Sequence, residues 1–185
     1  MTRPEDRQLP VGLSAFTGET RLGHALLVIV GGVGFLAGYL GSAVLFFEGL
    51  ETFGPGASRG PSLIAGAFGS LGCWGVFAVG FVRGRGGPVL NAVVYPVPIV
   101  AVLPVAVRWG AFGPEIGGLL DRFGFVLFPV EVLVSAVALI VPGVVFFASL
   151  LAVWAAALDE DRRRAWQREQ LSPEFYEEFV EESER

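Results

Sequence analysis

Between Leu22 and Leu158 the chain runs for 137 residues with only ten formal charges: Glu48, Glu51, Arg59, Arg83, Arg85, Arg108, Glu115, Asp121, Arg122 and Glu131. The other 21 of the 31 charges lie in residues 1–21 and 159–185. A soluble globule spreads charge over its whole surface and is about 25% charged. This chain is 17% charged and 53% hydrophobic, so a water-soluble fold is excluded. Hydrophobicity excludes disorder for the centre, and the single Cys73 excludes a disulfide scaffold. What remains is an integral membrane protein, expected to be all-α: a four-helix bundle with a short amphipathic C-terminal helix.

A helix needs roughly 20 apolar residues at about 1.5 Å each to cross a hydrocarbon core of about 30 Å. Four stretches qualify, at about residues 24–47, 61–82, 88–107 and 133–156. The last is cut from the 36-residue run Phe123–Leu158, too long for one ordinary span and too short for two with a turn. The chain thus divides into an N-terminal arm (1–21), a membrane domain (22–158) and an acidic helical tail (159–185). Pro4, Pro10, Gly12 and Gly18 make the arm read as flexible. Its first apolar run of about 24 residues exceeds the 7–15 of a signal peptide, so the first span is expected to be retained.

Basic residues resist translocation, so arginine placement sets orientation. With the N-terminus inside, the inner segments hold ten arginines and the outer loops three, Arg59, Arg108 and Arg122. A cell-membrane protein with both termini cytoplasmic is the expectation. All 13 basic residues are Arg and none is Lys, in a chain with 26 glycines and a net charge of −5. In that composition alone the chain resembles small multi-pass membrane proteins of halophilic archaea or high-GC bacteria. The resemblance carries no motif and therefore no functional residue.

Gly34 and Gly38, and then Gly38 and Ser42, are four apart on the first span; Gly66 and Ser70, and Gly69 and Cys73, repeat the spacing on the second. Small residues at that interval share a helix face and let another backbone approach closely. A contact between spans one and two, or a homo-oligomer built through either, is the expected use. Pro96, Pro98 and Pro104 break the third span, and Pro142 kinks the fourth. Proline removes a backbone donor, and in lipid each freed carbonyl needs another partner. A packing kink is favoured over the discontinuous helix of a transporter site.

Intramembrane ionisable groups are functional candidates by default. His24 stands at the start of the first span, and Asn91 is placed to reach it. Glu48 and Glu131 fall near the outer interface, with Arg108 and Arg122 on the same side. Glu131 is the best single candidate, and would lie deeper if the fourth span began near Phe123. One His and one Cys cannot build a metal cluster, and no HExxH, CxxC or P-loop pattern occurs; Phe68-Gly69-Ser70-Leu71-Gly72 lacks the first glycine of GxSxG, and no strand–GxGxxG–helix unit is available. No cofactor, enzymatic activity or nucleic-acid binding is expected.

At the soluble end, Pro114 to Arg122 could form a short surface helix presenting Ile116, Leu119 and Leu120 to the bilayer. The fourth helix is expected to continue to about Gln170, supported by Asp159–Arg163 and Glu160–Arg164 pairs, with its arginines at the lipid headgroups. Ser172 then reads as an N-cap, Pro173 as the first helical residue, and Leu171 with Tyr176 as a hydrophobic staple. Phe175, Tyr176, Phe179 and Val180 share one face of an otherwise acidic helix. Anionic lipid would repel that helix, so it should dock on protein, either its own bundle or a partner. Two functions fit: a structural or partner-recruiting membrane subunit, and a small transporter or channel component using the third span and Glu131. An intramembrane enzyme ranks third.

Overall fold

In the computed structural model each apolar stretch forms one long helix, and residues 16, 20–54, 58–113 and 129–176 are described, without the side chains of 59, 129–132, 174 and 175. Helix α1 spans Arg21–Phe46, α2 Arg59–Val82, α3 Pro96–Phe112 and α4 Pro129–Ala157. A 3-10 turn, Leu50–Phe53, joins α1 to α2, and a π turn, Leu90–Val94, leads into α3. All four are long and apolar enough to cross a membrane, the third when counted with its π turn as Leu90–Phe112. The expected spans are found, with the third running on to Phe112 instead of ending near 107. The protein is therefore an all-α membrane protein with four candidate spans.

Helix α2 is the hub: it packs most extensively on α1, next on α4, and also on α3. The shared core gathers Leu27, Phe35 and Tyr39 of α1, Trp74 and Phe77 of α2, Val100 of α3 and Phe147 of α4. Outward-facing residues are apolar too, among them Ile29, Val33, Val102, Val105, Leu133 and Val153. Water would not tolerate so continuous an apolar surface; hydrocarbon is the solvent that fits it.

Two expectations about the ends need correction. The fourth helix does not continue to Gln170: it stops at Ala157, and a separate helix, α5 (Glu160–Gln170), begins after it. The reason lies in Asp159, whose carboxylate accepts the Arg162 N–H at 2.7 Å and so caps a new helix. Glu160 and Asp161 then sit at the positive end of its dipole. Asp159 consequently pairs with Arg162 at 3.3 Å, not with Arg163, while Glu160 pairs with Arg164 at 2.5 Å as expected.

The second correction concerns the arm. Phe16 is buried, pairs across an isolated antiparallel bridge with Leu171, and packs with Phe81, Trp166 and Tyr176. Trp166 donates its indole N–H to the Val82 carbonyl at 2.7 Å and stands edge-on to Trp154. Apolar residues near both ends of the chain thus cover the last turn of α2. A final helix, α6 (Pro173–Tyr176), follows Ser172, whose carbonyl accepts the Tyr176 N–H at 2.9 Å. Tyr176 and Leu171 belong to the same apolar cluster, as a staple requires. The surface helix expected at 114–122 lies outside the described residues, as do Phe179 and Val180 and the side chain of Phe175.

Candidate functional site

The turn between α2 and α3 gathers most of the polar chemistry. Gly84 and Gly86 adopt left-handed φ of 66° and 71°, which glycine alone takes without strain. Between them the Arg85 N–H donates to the Gly80 carbonyl at 2.9 Å. The fully buried Asn91 side chain then donates from Nδ2 to the carbonyls of Arg85 (2.8 Å), Gly86 (2.6 Å) and Gly87 (3.2 Å). Gly86 must be glycine for a second reason, since a Cβ there would stand 2.9 Å from Asn91 Nδ2.

Asn91 therefore does not reach His24; its amide nitrogen is taken up by the turn five residues upstream, while its Oδ1 is buried with no hydrogen-bond partner among the described residues. The partner of His24 is Tyr95, whose hydroxyl shares a 2.6 Å hydrogen bond with His24 Nδ1. This bond ties the start of α1 to the entry of α3. A half-open cavity of about 240 Å³ lies between the first turns of α1 and the turn, lined by Thr20, Leu26, Leu27, His24, Arg85 and Gly86 among others. Asn91→Ala is expected to lower the unfolding midpoint in detergent by the equivalent of about 1–3 kcal/mol, because buried carbonyls lose their donor. An unchanged midpoint would show that water satisfies the turn equally well.

At the opposite end, Arg108 Nε donates to the Phe53 carbonyl at 3.1 Å and closes the 3-10 turn against α3. Tyr39 lies beneath, between Phe35 and Phe53, with its hydroxyl buried and without a hydrogen-bond partner among the described residues. An unsatisfied buried hydroxyl costs about 1–3 kcal/mol, so Tyr39→Phe should leave stability unchanged or raise it. A fall in the detergent unfolding midpoint would instead assign the hydroxyl a supporting role beside Arg108.

The small residues divide between two neighbours. A Cβ on Gly34 would stand 2.8 Å from the Gly72 carbonyl oxygen, and one on Gly38 would collide with the Phe68 carbonyl. These two positions bring α1 and α2 together backbone to backbone. Gly69 receives the Phe35 ring. Gly66 faces α4, not α1, and a Cβ there would strike Leu139. Ser42 and Ser70 are buried and bond back to their own helices, to the Tyr39 and Gly66 carbonyls, each at 2.9 Å.

Sequence reasoning missed the role of Trp74. Pro96 lacks the N–H that an α-helix would return to the Ala92 carbonyl. That carbonyl accepts the Trp74 indole N–H at 3.0 Å. The Trp74 ring is itself seated on Gly143 of α4. The signal was present in an indole on one span and a proline on another, but nothing in the chain pairs them. Glu131 lies in the backbone of α4, Pro129–Ala157, and its side chain lies outside what the structure describes.

No known protein family, no curated protein and no solved structure matches this chain.

Proposed function

We propose that the protein is a membrane anchor or accessory subunit with no catalytic activity of its own. It sits in the cell membrane with both termini cytoplasmic, and its acidic C-terminal segment recruits a partner with a basic surface. The observation that carries this reading is the Trp74 contact: the carbonyl freed at the break before α3 is taken up by an indole from α2. A transporter would keep such a group for its cargo. Pro96 and Val100 are fully buried, and Ile99 and Leu103 pack against the apolar core, which favours packing over a polar path. Orientation rests on the ten-to-three arginine count. Recruitment rests on six glutamates between Glu174 and Glu184, too acidic to lie on anionic lipid.

The test uses the full chain in its native membrane, with photo-crosslinkers at residues 178 and 182. A single stoichiometric partner is expected, lost on deletion of residues 177–185 while Glu131→Gln leaves it intact. Substrate flux in proteoliposomes that Glu131→Gln abolishes would overturn the reading in favour of transport. Labelling of a cysteine at residue 57 from the cytoplasmic side would reverse the orientation.

A further inference from the structure

Arg85 is held by its backbone at both its N–H and its carbonyl, while its guanidinium is left exposed at the rim of the 240 Å³ cavity. Arg21 at the start of α1 and Arg83 at the end of α2 are exposed too. Three arginines elsewhere are paired, Arg162 with Asp159, Arg164 with Glu160 and Arg108 with the Phe53 carbonyl, while Arg163 and Arg168 have no such partner among the described residues. The side chains of Arg21, Arg83 and Arg85 have no such partner among the described residues. Arg85 lines the cavity, and Arg21 and Arg83 are each next in the chain to a lining residue, so in a chain with a net charge of −5 basic residues gather at this one mouth and favour an anion there.

The other wall of the cavity says which kind. Leu22 and Leu26 line it and are 70% and 47% exposed, and Val30 continues the same stripe one turn deeper at 49%. Residues four apart share a helix face, so the polar mouth opens directly onto an apolar track along α1. The first span begins at Arg21, which sets this mouth at the headgroup level. We propose that the pocket binds the phosphate of an anionic glycerophospholipid. Arg85 forks onto two phosphate oxygens, and the acyl chains follow Leu22, Leu26 and Val30. Gly84 and Gly86 fix the backbone that carries Arg85, so the ordering cost of binding falls on its side chain alone. This site differs from any partner contact of the acidic tail and does not depend on the orientation of the chain.

Native mass spectrometry of the delipidated full-length protein tests the proposal, with phosphatidylglycerol, phosphatidylcholine and glycerol phosphate as probes. One phosphatidylglycerol is expected to bind at least tenfold more tightly than phosphatidylcholine. Arg85→Gln should erase that preference, Arg85→Lys should keep only part of it, and Arg162→Gln should leave it unchanged. Binding of phosphatidylglycerol should also raise the unfolding midpoint of the wild type but not of Arg85→Gln, whose lipid-free midpoint should equal the wild type's. Equal retention of the two lipids, or equal losses in Arg85→Gln and Arg162→Gln, would overturn the proposal. Glycerol phosphate binding as tightly as the lipid would overturn the lipid assignment in favour of a free phosphate ester.

Discussion

Gly38→Leu is expected to force α1 away from α2 and to cost the membrane domain about 3 kcal/mol or more, the upper range for overpacking a core. The reason is the nature of the neighbour. A crowded side chain can change rotamer, but the Phe68 carbonyl that a Cβ on Gly38 would strike belongs to the α2 backbone. The helices must therefore separate, and the Gly34–Gly72 contact beside it is lost with the seam. Association in lipid rests on close packing, with no hydrophobic drive between helices to compensate. The check is reversible unfolding in mixed micelles titrated with SDS, followed by tryptophan fluorescence. Gly41→Leu is the control, since a Cβ there meets nothing within 4 Å. Equal midpoints for the two variants would refute the seam.

Trp74→Ala is expected to be comparably severe, at about 3–5 kcal/mol by analogy with buried Trp and Phe truncations. Trp74 is fully buried and reaches two other helices: α4 through Gly143, and the π turn before α3 through the Ala92 carbonyl. Its loss leaves a cavity at the hub and an orphaned carbonyl in hydrocarbon. Trp74→Phe separates these contributions, because it retains much of the ring and removes only the donor. The expected loss for Phe is about 1–2 kcal/mol, that of a single intramembrane hydrogen bond with some packing. A Phe variant as unstable as Ala would place the whole effect in the hydrogen bond; a silent one would mean the Ala92 carbonyl has another donor.

Much of the architecture was legible along the chain. The spans emerged from local apolar runs, and the seam glycines Gly34 and Gly38 from their interval. Asp159 was read as a pairing residue within one long helix. Its capping role was the stronger signal, and Glu160 and Asp161 behind it were the clue. Asn91 was read toward His24 because both stand near one end of adjacent spans. In the fold, three carbonyls of a tight turn lie closer. Phe16 looked like part of a polar arm, because its burial depends on Phe81 and Trp166, which are 65 and 150 residues away.

The line between the two kinds of information follows physical range. Whether a segment enters the bilayer depends on its own transfer energy and its own backbone hydrogen bonds. The four spans and the arginine bias are therefore properties of the sequence alone. Which carbonyl Trp74 satisfies, which helix Gly66 faces, and which arginine lines the cavity depend on helix rotation and neighbour choice. Those are settled only when every buried polar group in hydrocarbon competes for the few donors within reach, and that competition takes place in the assembled fold.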